Sequence, residues 1–473
     1  MDRVKLEVEL QRVFAAEPSL VPAPDMHDYQ LTYPPAVTLE RKGGPSPGDE
    51  VFLAEAVGDF RNAGFYFHFG FCRYRCRYCF HYELTTKDNE ALMARYVDAL
   101  DVEMARVRSI APALRPALYF LGGGTPTALP RRLLERFLGA LVRRFGAPRT
   151  MSTAEAKPIT AERDKLDALV AAGFRRISLG VQTLDPELYA FHHHGEPLRE
   201  AFEAIARARR AGFDYVNIDL MTGLEGQTPA SFRTTLDTAR ELARTGAVDS
   251  VFLYPFHDDP RSRTFRDARR VPPFLETAHS DALAREVFAD ELGWSELGAR
   301  FYRSPRHVRR ELWEVATSRV DPAYGEVLYH GFGHSSFSIG DRATYLNHRE
   351  IHAYCDAVEA GQLPIARFAR LDAHQRATRD VTFDLLYSPM TRVRSRAKKY
   401  GADTMTAHHT LLARWESLGL GTSNRVLGTF ALTPLGKLLH QQMIPQHYLA
   451  KDRAALVSVM SLRKEAGPAY RGY

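Results

Sequence analysis

Cys72, Cys76 and Cys79 lie in one run, Phe71-Cys-Arg-Tyr-Arg-Cys-Arg-Tyr-Cys-Phe80, and the 473-residue chain has only one other cysteine, Cys355. Three thiolates on one short loop can each ligate one iron of a cubane [4Fe–4S] cluster, leaving the fourth iron open to a non-protein ligand. An open iron on a low-potential cluster is what one-electron cleavage of S-adenosylmethionine (SAM) requires, and that cleavage opens radical chemistry. Zinc competes for the same donors. His68 and His81 flank the triplet, so a Cys3His site stays open at this point, although no second paired unit follows at zinc-finger distance. An odd triplet in a long chain argues against a disulfide framework. Cys355 falls in Glu350-Ile-His-Ala-Tyr-Cys-Asp-Ala-Val358, which reads as a helix with Cys355 as a small buried hydrophobe.

A second set of residues follows downstream. Gly122-Gly-Gly-Thr-Pro-Thr127 comes directly after a short apolar strand. Three glycines let the backbone approach a ligand and offer N–H and C=O groups, here to the amino group of SAM. Glu155 falls near the end of the third strand, Gln182 ends the fourth, and Asp219 lies in the fifth. Carboxylates in an apolar β-rich setting cost several kcal/mol, roughly, unless partnered, and ribose hydroxyls or an ammonium would partner them. Helix capping or pairing with an Arg would serve them equally well. The run His192-His-His194 reads first as solvated surface, with His194 as an alternative proton shuttle in the pocket.

The elements that must position these residues alternate. Strands are predicted at Phe65–Phe69, Ala117–Leu121, Thr150–Ala156, Arg176–Val181, Tyr215–Thr222 and Ser250–Tyr254. Helices are predicted at Asn89–Ser109, Pro130–Phe145, Ala161–Ala172, Pro197–Ala211 and Pro229–Thr245. Such βα alternation implies a parallel sheet, and in a barrel its ligands gather at the C-terminal strand ends. The fold class is therefore α/β, a partial (β/α)6 TIM-like barrel over residues 61–339. A Pro/Gly-rich leader over residues 1–60 wraps the surface, and a mainly helical accessory domain over residues 340–473 carries one small β element. Thr433-Pro434 reads as an N-cap and first helical residue, opening a helix over Leu435–Met443.

Composition sets wider bounds. Hydrophobic residues make up 45% and charged residues 25%, with a net charge of +6. This is a globular chain without an apolar run of the roughly 20 residues that span a bilayer. The N-terminus, Met1-Asp-Arg-Val-Lys-Leu-Glu-Val-Glu9, is acidic where a secretory signal would be apolar, so the expected location is the cytoplasm. The arginines of Arg131–Arg144 interleave with leucines as the solvated face of an amphipathic helix, and no nucleic-acid-binding module accompanies them.

Tyr66-Phe-His-Phe-Gly-Phe-Cys72, the CxxxCxxC loop, Gly122-Gly-Gly-Thr-Pro126, Ser178-Leu-Gly-Val-Gln182, Asn217-Ile-Asp-Leu220, Gly223-Leu-Glu-Gly-Gln227 and Gly331-Phe-Gly-His-Ser335 together resemble the radical SAM superfamily. More specifically, they resemble the branch around oxygen-independent coproporphyrinogen III oxidase, which also holds class C radical SAM methyltransferases and heme chaperones. The resemblance implies a [4Fe–4S] cluster on Cys72, Cys76 and Cys79, and one SAM contacted by Tyr66, Gly123 and Glu155. A second SAM would be contacted by Tyr78, Gly124, Thr125, Gln182 and Asp219, with Phe337 near the adenine. It also implies a small-molecule substrate and a flavodoxin or ferredoxin-type electron donor, with neither nucleic acid nor membrane as partner. Three positions depart from the branch. His81 stands where the long oxidases carry a further cysteine, His194 where they carry an arginine, and Glu225 where proline is usual. On the first two departures, methyl or methylene transfer to an sp2 carbon ranks first, with His194 or Asp219 as the base. Oxidative decarboxylation of coproporphyrinogen III ranks second and heme binding third, with His68, His81 or the His192–His194 run as iron ligands.

Overall fold

The computed structural model describes residues 3–22, 33–41, 49–58, 62–80, 84–148, 150–256, 259, 261–268, 273–297, 300–307, 320–321, 325–326, 328–387 and 390–466. Six neighbouring parallel strands form the centre of one sheet: β1 (Asn62–Phe69), β2 (Arg115–Gly123), β3 (Ser152–Ala156), β4 (Phe174–Gln182), β5 (Tyr215–Thr222) and β6 (Ser250–Pro255). Helices Glu90–Ile110, Arg131–Phe145, Arg163–Ala171, Arg199–Ala211 and Pro229–Thr245 connect them. The expected α/β partial barrel is present. Strand alternation divides its two faces. Phe65, Phe67, Phe69, Ile177, Leu179, Ile218 and Leu220 pack with the helices in one core. Glu155, Ser178, Asn217 and Asp219 take positions of the opposite phase. A fully buried Leu or Phe contributes about 1.5–3 kcal/mol, so the helix-covered face supplies the cohesion and the inner face is free to carry polar groups.

The sheet is longer than the sequence reading foresaw. Leu328–Phe332 (β7) lies parallel to β1, with Gly331 opposite Tyr66. Phe337–Ile339 (β8), Ala343–Asn347 (β9) and Ile365–Arg370 (β10) continue it as antiparallel strands out to Glu40–Arg41. On the other side Phe301–Arg303 and Ser295–Leu297 follow β6, and the sheet does not close. The change of pattern expected at 340 thus comes after Arg370. Tyr345, Ile351, Tyr354, Cys355 and Ile365 bury in the same core as the barrel strands, which draws this segment into the sheet layer. Cys355 is fully buried on its helix, and burial pushes its thiol up to about 11.

The stretch expected to wrap the surface contributes two packed helices. Leu6, Leu10 and Val13, at i, i+4 and i+7 of helix Arg3–Ala16, are buried in one cluster with Val381, Met405, Trp415 and Leu439 of the helical C-terminal region. Phe52 and Leu53 of helix Asp49–Val57 enter the barrel core. Thr433 caps as expected, its hydroxyl accepting from Gly436 N at 3.1 Å, but the helix ends at Leu438 and a separate turn covers His440–Met443. Among the described residues no helix is long and apolar enough to cross a membrane.

Candidate active site

The cysteine loop is bound to the end of the barrel by backbone bonds. Gly124 N donates to Phe69 O at 2.6 Å and Thr125 N donates to Phe71 O at 2.8 Å, which fastens the glycine turn to the entry of the loop. Cys72 and Cys76 are buried and Cys79 is half-buried. The Thr125 hydroxyl lies 3.3 Å from Cys72 Sγ, and Lys157 Nζ donates to Cys76 Sγ at 3.0 Å and to Tyr74 O at 3.2 Å. Burial first, then the neighbouring Cys76, pushes the Tyr78 phenol far above its ordinary range, so it stays protonated.

The thiols rim a cavity of about 180 Å³. Gly123 and Gly124 line it after β2, Glu155 and Lys157 at the end of β3, and Ser178, Gly180 and Gln182 on β4. Asp219 and Met221 of β5, Tyr254 of β6, and Tyr74 and Tyr78 of the cysteine loop complete the wall. Two carboxylates therefore face one space from strands separated only by β4. Burial, then the charge of Asp219, pushes Glu155 up to about 8, against a hydrogen bond from the Gly123 backbone. Burial pushes Asp219 up to about 6, opposed by the Arg176 guanidinium and by bonds from Ser178 and Asn217. Those bonds hold its oxygens firmly: Ser178 Oγ donates at 3.0 and 3.2 Å, and Asn217 Nδ2 at 2.8 Å. Both carboxyls are thus raised, Glu155 further than Asp219, and a cationic ligand between them would pull both towards ionisation.

Two glycines are required by close approach. A Cβ on Gly122 would meet Glu155 Oε2 at 2.9 Å, and one on Gly123, where φ is +102°, would meet the His68 ring at 2.8 Å. Gln182 takes φ +68° at the end of β4. A non-glycine residue in this region costs roughly 1–3 kcal/mol, and such strain collects at functional sites.

The cavity gathers six of the nine residues expected to contact cofactor: Tyr78, Gly123, Gly124, Glu155, Gln182 and Asp219. Three lie elsewhere. Tyr66 points its hydroxyl at His68 Nδ1, 2.9 Å away, and stacks on Tyr329. Thr125 is buried against Cys72, and Phe337 sits on β8 opposite Leu346. His194, expected as a base in the pocket, is exposed and absent from the cavity wall, and its Nε2 lies 2.9 Å from Arg75 O. Its neighbours correct the solvated reading of the run: His192 and His193 are fully buried, bonded to Glu225 O and Val181 O at 3.0 Å each. Burial lowers His193 to about 3, so it is a neutral structural imidazole. Sequence reasoning missed Lys157 and Ser178. Lys157 lies two residues after Glu155, just beyond β3, and Ser178 lies four residues before Gln182 on β4, each in phase with a residue already marked, which was the available signal.

The donor set fits the cluster. Cys72, Cys76 and Cys79 all line the one cavity, and a cubane takes each thiolate on a different iron. His68, one of the two imidazoles that could have completed a zinc site, is engaged with Tyr66 and His334. His81, the other, lies outside the described residues. The glycine turn and the paired carboxyls supply what a SAM ammonium and sulfonium need. Glu225, in the place of the usual proline, binds Arg77 of the cysteine loop at 3.0–3.1 Å and accepts from the Thr264 hydroxyl at 3.0 Å, so it ties the back of the loop to the turn after β5.

Comparison with known proteins agrees with this geometry. Residues 66–239 match the Radical SAM superfamily. The oxygen-independent coproporphyrinogen III oxidase of Bradyrhizobium diazoefficiens is 28% identical over 329 residues, covering 68% of this chain and 72% of that protein. The heme chaperone HemW of Bacillus subtilis is 33% identical over 195 residues, 40% of this chain and 50% of that protein. Among solved structures, the coproporphyrinogen III oxidase (HemN) of Escherichia coli, described as a radical SAM enzyme, superposes with a TM-score of 0.75 at 24% identity. It covers 89% of this chain and 96% of that one, a likeness of fold.

Proposed function

We propose that this chain, a radical SAM enzyme of the coproporphyrinogen oxidase-like branch, acts as an oxygen-independent coproporphyrinogen III oxidase. The observation that supports this reading is that proteins named oxygen-independent coproporphyrinogen III oxidase recur among the relatives, aligned over 72% and 77% of their length in Bradyrhizobium and Synechocystis, although the anaerobilin synthase of Escherichia coli O157:H7 aligns over 77% as well. When bound, the cluster and SAM would supply a carbon radical able to take a hydrogen atom from an unactivated C–H bond; in this reading that bond belongs to a substrate propionate, which would become a vinyl group and CO2 while one electron passes to an external one-electron acceptor. In this reading Cys72, Cys76 and Cys79 hold the cluster. Gly123 and Gly124 offer main-chain groups to the SAM amino acid end, and Glu155 and Asp219 balance its positive charges. Tyr78, Met221 and Tyr254 form the wall that keeps bulk water from the reacting atoms. The cavity of about 180 Å³ is below the usual ligand-pocket range of about 300–1,000 Å³, so in this reading the substrate binds further out. The low-potential electron donor is of flavodoxin or ferredoxin type, and the setting is cytoplasmic.

Methyl or methylene transfer with a second SAM is the alternative, favoured by Gln182 and Asp219 sharing one cavity with Gly123 and Glu155. One experiment separates the two. Reconstituted enzyme is incubated anaerobically with SAM, a one-electron reductant and coproporphyrinogen III, and the products are resolved by mass spectrometry. Decarboxylated product with 5′-deoxyadenosine and no S-adenosylhomocysteine is expected. Intact porphyrinogen alongside 5′-deoxyadenosine overturns the proposal, and S-adenosylhomocysteine moves the assignment to transfer. A heme Soret band without SAM cleavage moves it to the chaperone class.

A further inference from the structure

Lys157 follows Glu155 by two residues, and its side chain enters the cavity wall beside the thiols. Nζ donates to Cys76 Sγ at 3.0 Å and to Tyr74 O at 3.2 Å, and sits 4.4 Å from the centre of the Tyr74 ring. Among the described residues no carboxylate lies within ion-pair distance of it. Lys157 is half-buried, and an ammonium partly withdrawn from water without a counter-ion is costly. Here the carbonyl and the ring face answer it only in part, and the negative groups nearest to it are the sulfurs. Charge and hydrogen bonds at the sulfurs are among the protein's means of setting an iron–sulfur potential. A fixed positive charge stabilises the reduced cluster, the more negative state, over the oxidised one.

We infer that Lys157 is a positioning residue that serves as counter-charge to the cluster thiolates, raising the reduction potential of the cluster through its contact with Cys76. The inference rests on the cluster reading above. It adds that this chain eases electron entry from within the barrel, by a residue two positions beyond the one expected to hold SAM.

The test is an equilibrium measurement that needs no turnover. Wild type, Lys157→Met, Lys157→Gln and Lys157→Arg are loaded anaerobically with iron and sulfide, iron is counted, and the cluster is titrated against mediators with the reduced signal read by electron paramagnetic resonance. Lys157→Met and Lys157→Gln should make one-electron reduction about tenfold less favourable, a shift of about 59 mV to more negative potential. Lys157→Arg should stay within about threefold of wild type. A change below threefold in both neutral variants overturns the inference, as does an arginine variant that behaves like methionine. If the neutral variants fold but hold no cluster, retention of the cluster by Lys157→Arg supports the counter-charge and its loss refutes it. Failure of the wild-type chain to take up four irons would instead strike the cluster reading itself.

Discussion

Two groups of buried charges divide this molecule. In the helical C-terminal region Arg396 reaches Asp380 and Asp384 at 2.9 Å each, and Arg379 reaches Asp380 at 3.0 Å and the carbonyls of Gly340 and Asp341 at 2.7 and 2.9 Å. Tyr400 donates to Asp380 as well. At the strand ends Glu155 and Asp219 are met by a backbone N–H, a hydroxyl and an amide, while Lys157 meets a thiol and a carbonyl. The first group cancels within itself and specifies a packing. The second keeps charges of both signs with no ion pair to them among the described residues, Arg176 acting on Asp219 only at longer range, and that is the physical mark of a place built to receive something charged.

Exchanges on the two sides should therefore fail differently. Cys76→Ala should abolish cluster binding and SAM cleavage, read as iron content and 5′-deoxyadenosine, with the thermal transition of the helical region unmoved. Arg396→Met should do the reverse. Leaving Asp384 buried and uncompensated costs about 3–5 kcal/mol, visible in urea unfolding, while SAM cleavage per folded chain holds. If Arg396→Met lost cleavage without losing stability, the division would be wrong.

Glu155→Gln should weaken SAM binding by about ten- to a hundredfold, corresponding to the roughly 1.5–3 kcal/mol of a hydrogen bond to a charged group. It should not destabilise the fold. The sign follows from linkage. Glu155 is raised from the ordinary 4.5 to about 8, so the folded chain binds more protons than the unfolded one between those values. Its contribution to stability is fully present below about 4.5 and is lost as pH rises through about 8. The stability of Glu155→Gln relative to wild type should therefore improve steadily across that window. A cationic ligand that ionises Glu155 should also release close to one proton at pH 7, measurable by calorimetry in buffers of different ionisation enthalpy. No buffer dependence would mean that the carboxyl does not meet the cation. The smallest effect is expected for Thr125→Val, which removes one hydroxyl from Cys72 and should lower the cluster potential by less than Lys157→Met does.

Much of the barrel was legible because its signals are local. Strand β5 and the helix Pro229–Thr245 fall where the alternation puts them, and Thr433 caps the helix predicted after it. The segments that escaped are those whose burial depends on distant partners. Helix Arg3–Ala16 has a clear i, i+4, i+7 stripe, yet nothing nearby in sequence shows that it joins a core with Trp415 and Leu439. β8, β9 and β10 are short strands that become part of the sheet only because β7 pairs with β1 first.

The sequence by itself determined the chemistry. Three thiols at a spacing that serves a cubane, and glycines and carboxylates at successive strand ends, follow from residue type and period alone, since covalent spacing and the pleat of a strand act over a few residues. Tertiary structure decided which neighbours would use that chemistry. It turned His193 inward to Val181, set His194 outside against a carbonyl 119 residues away in the chain, and brought Lys157 to Cys76 across 81 residues. Contacts of that range form only when whole elements dock, so no local pattern could have announced them.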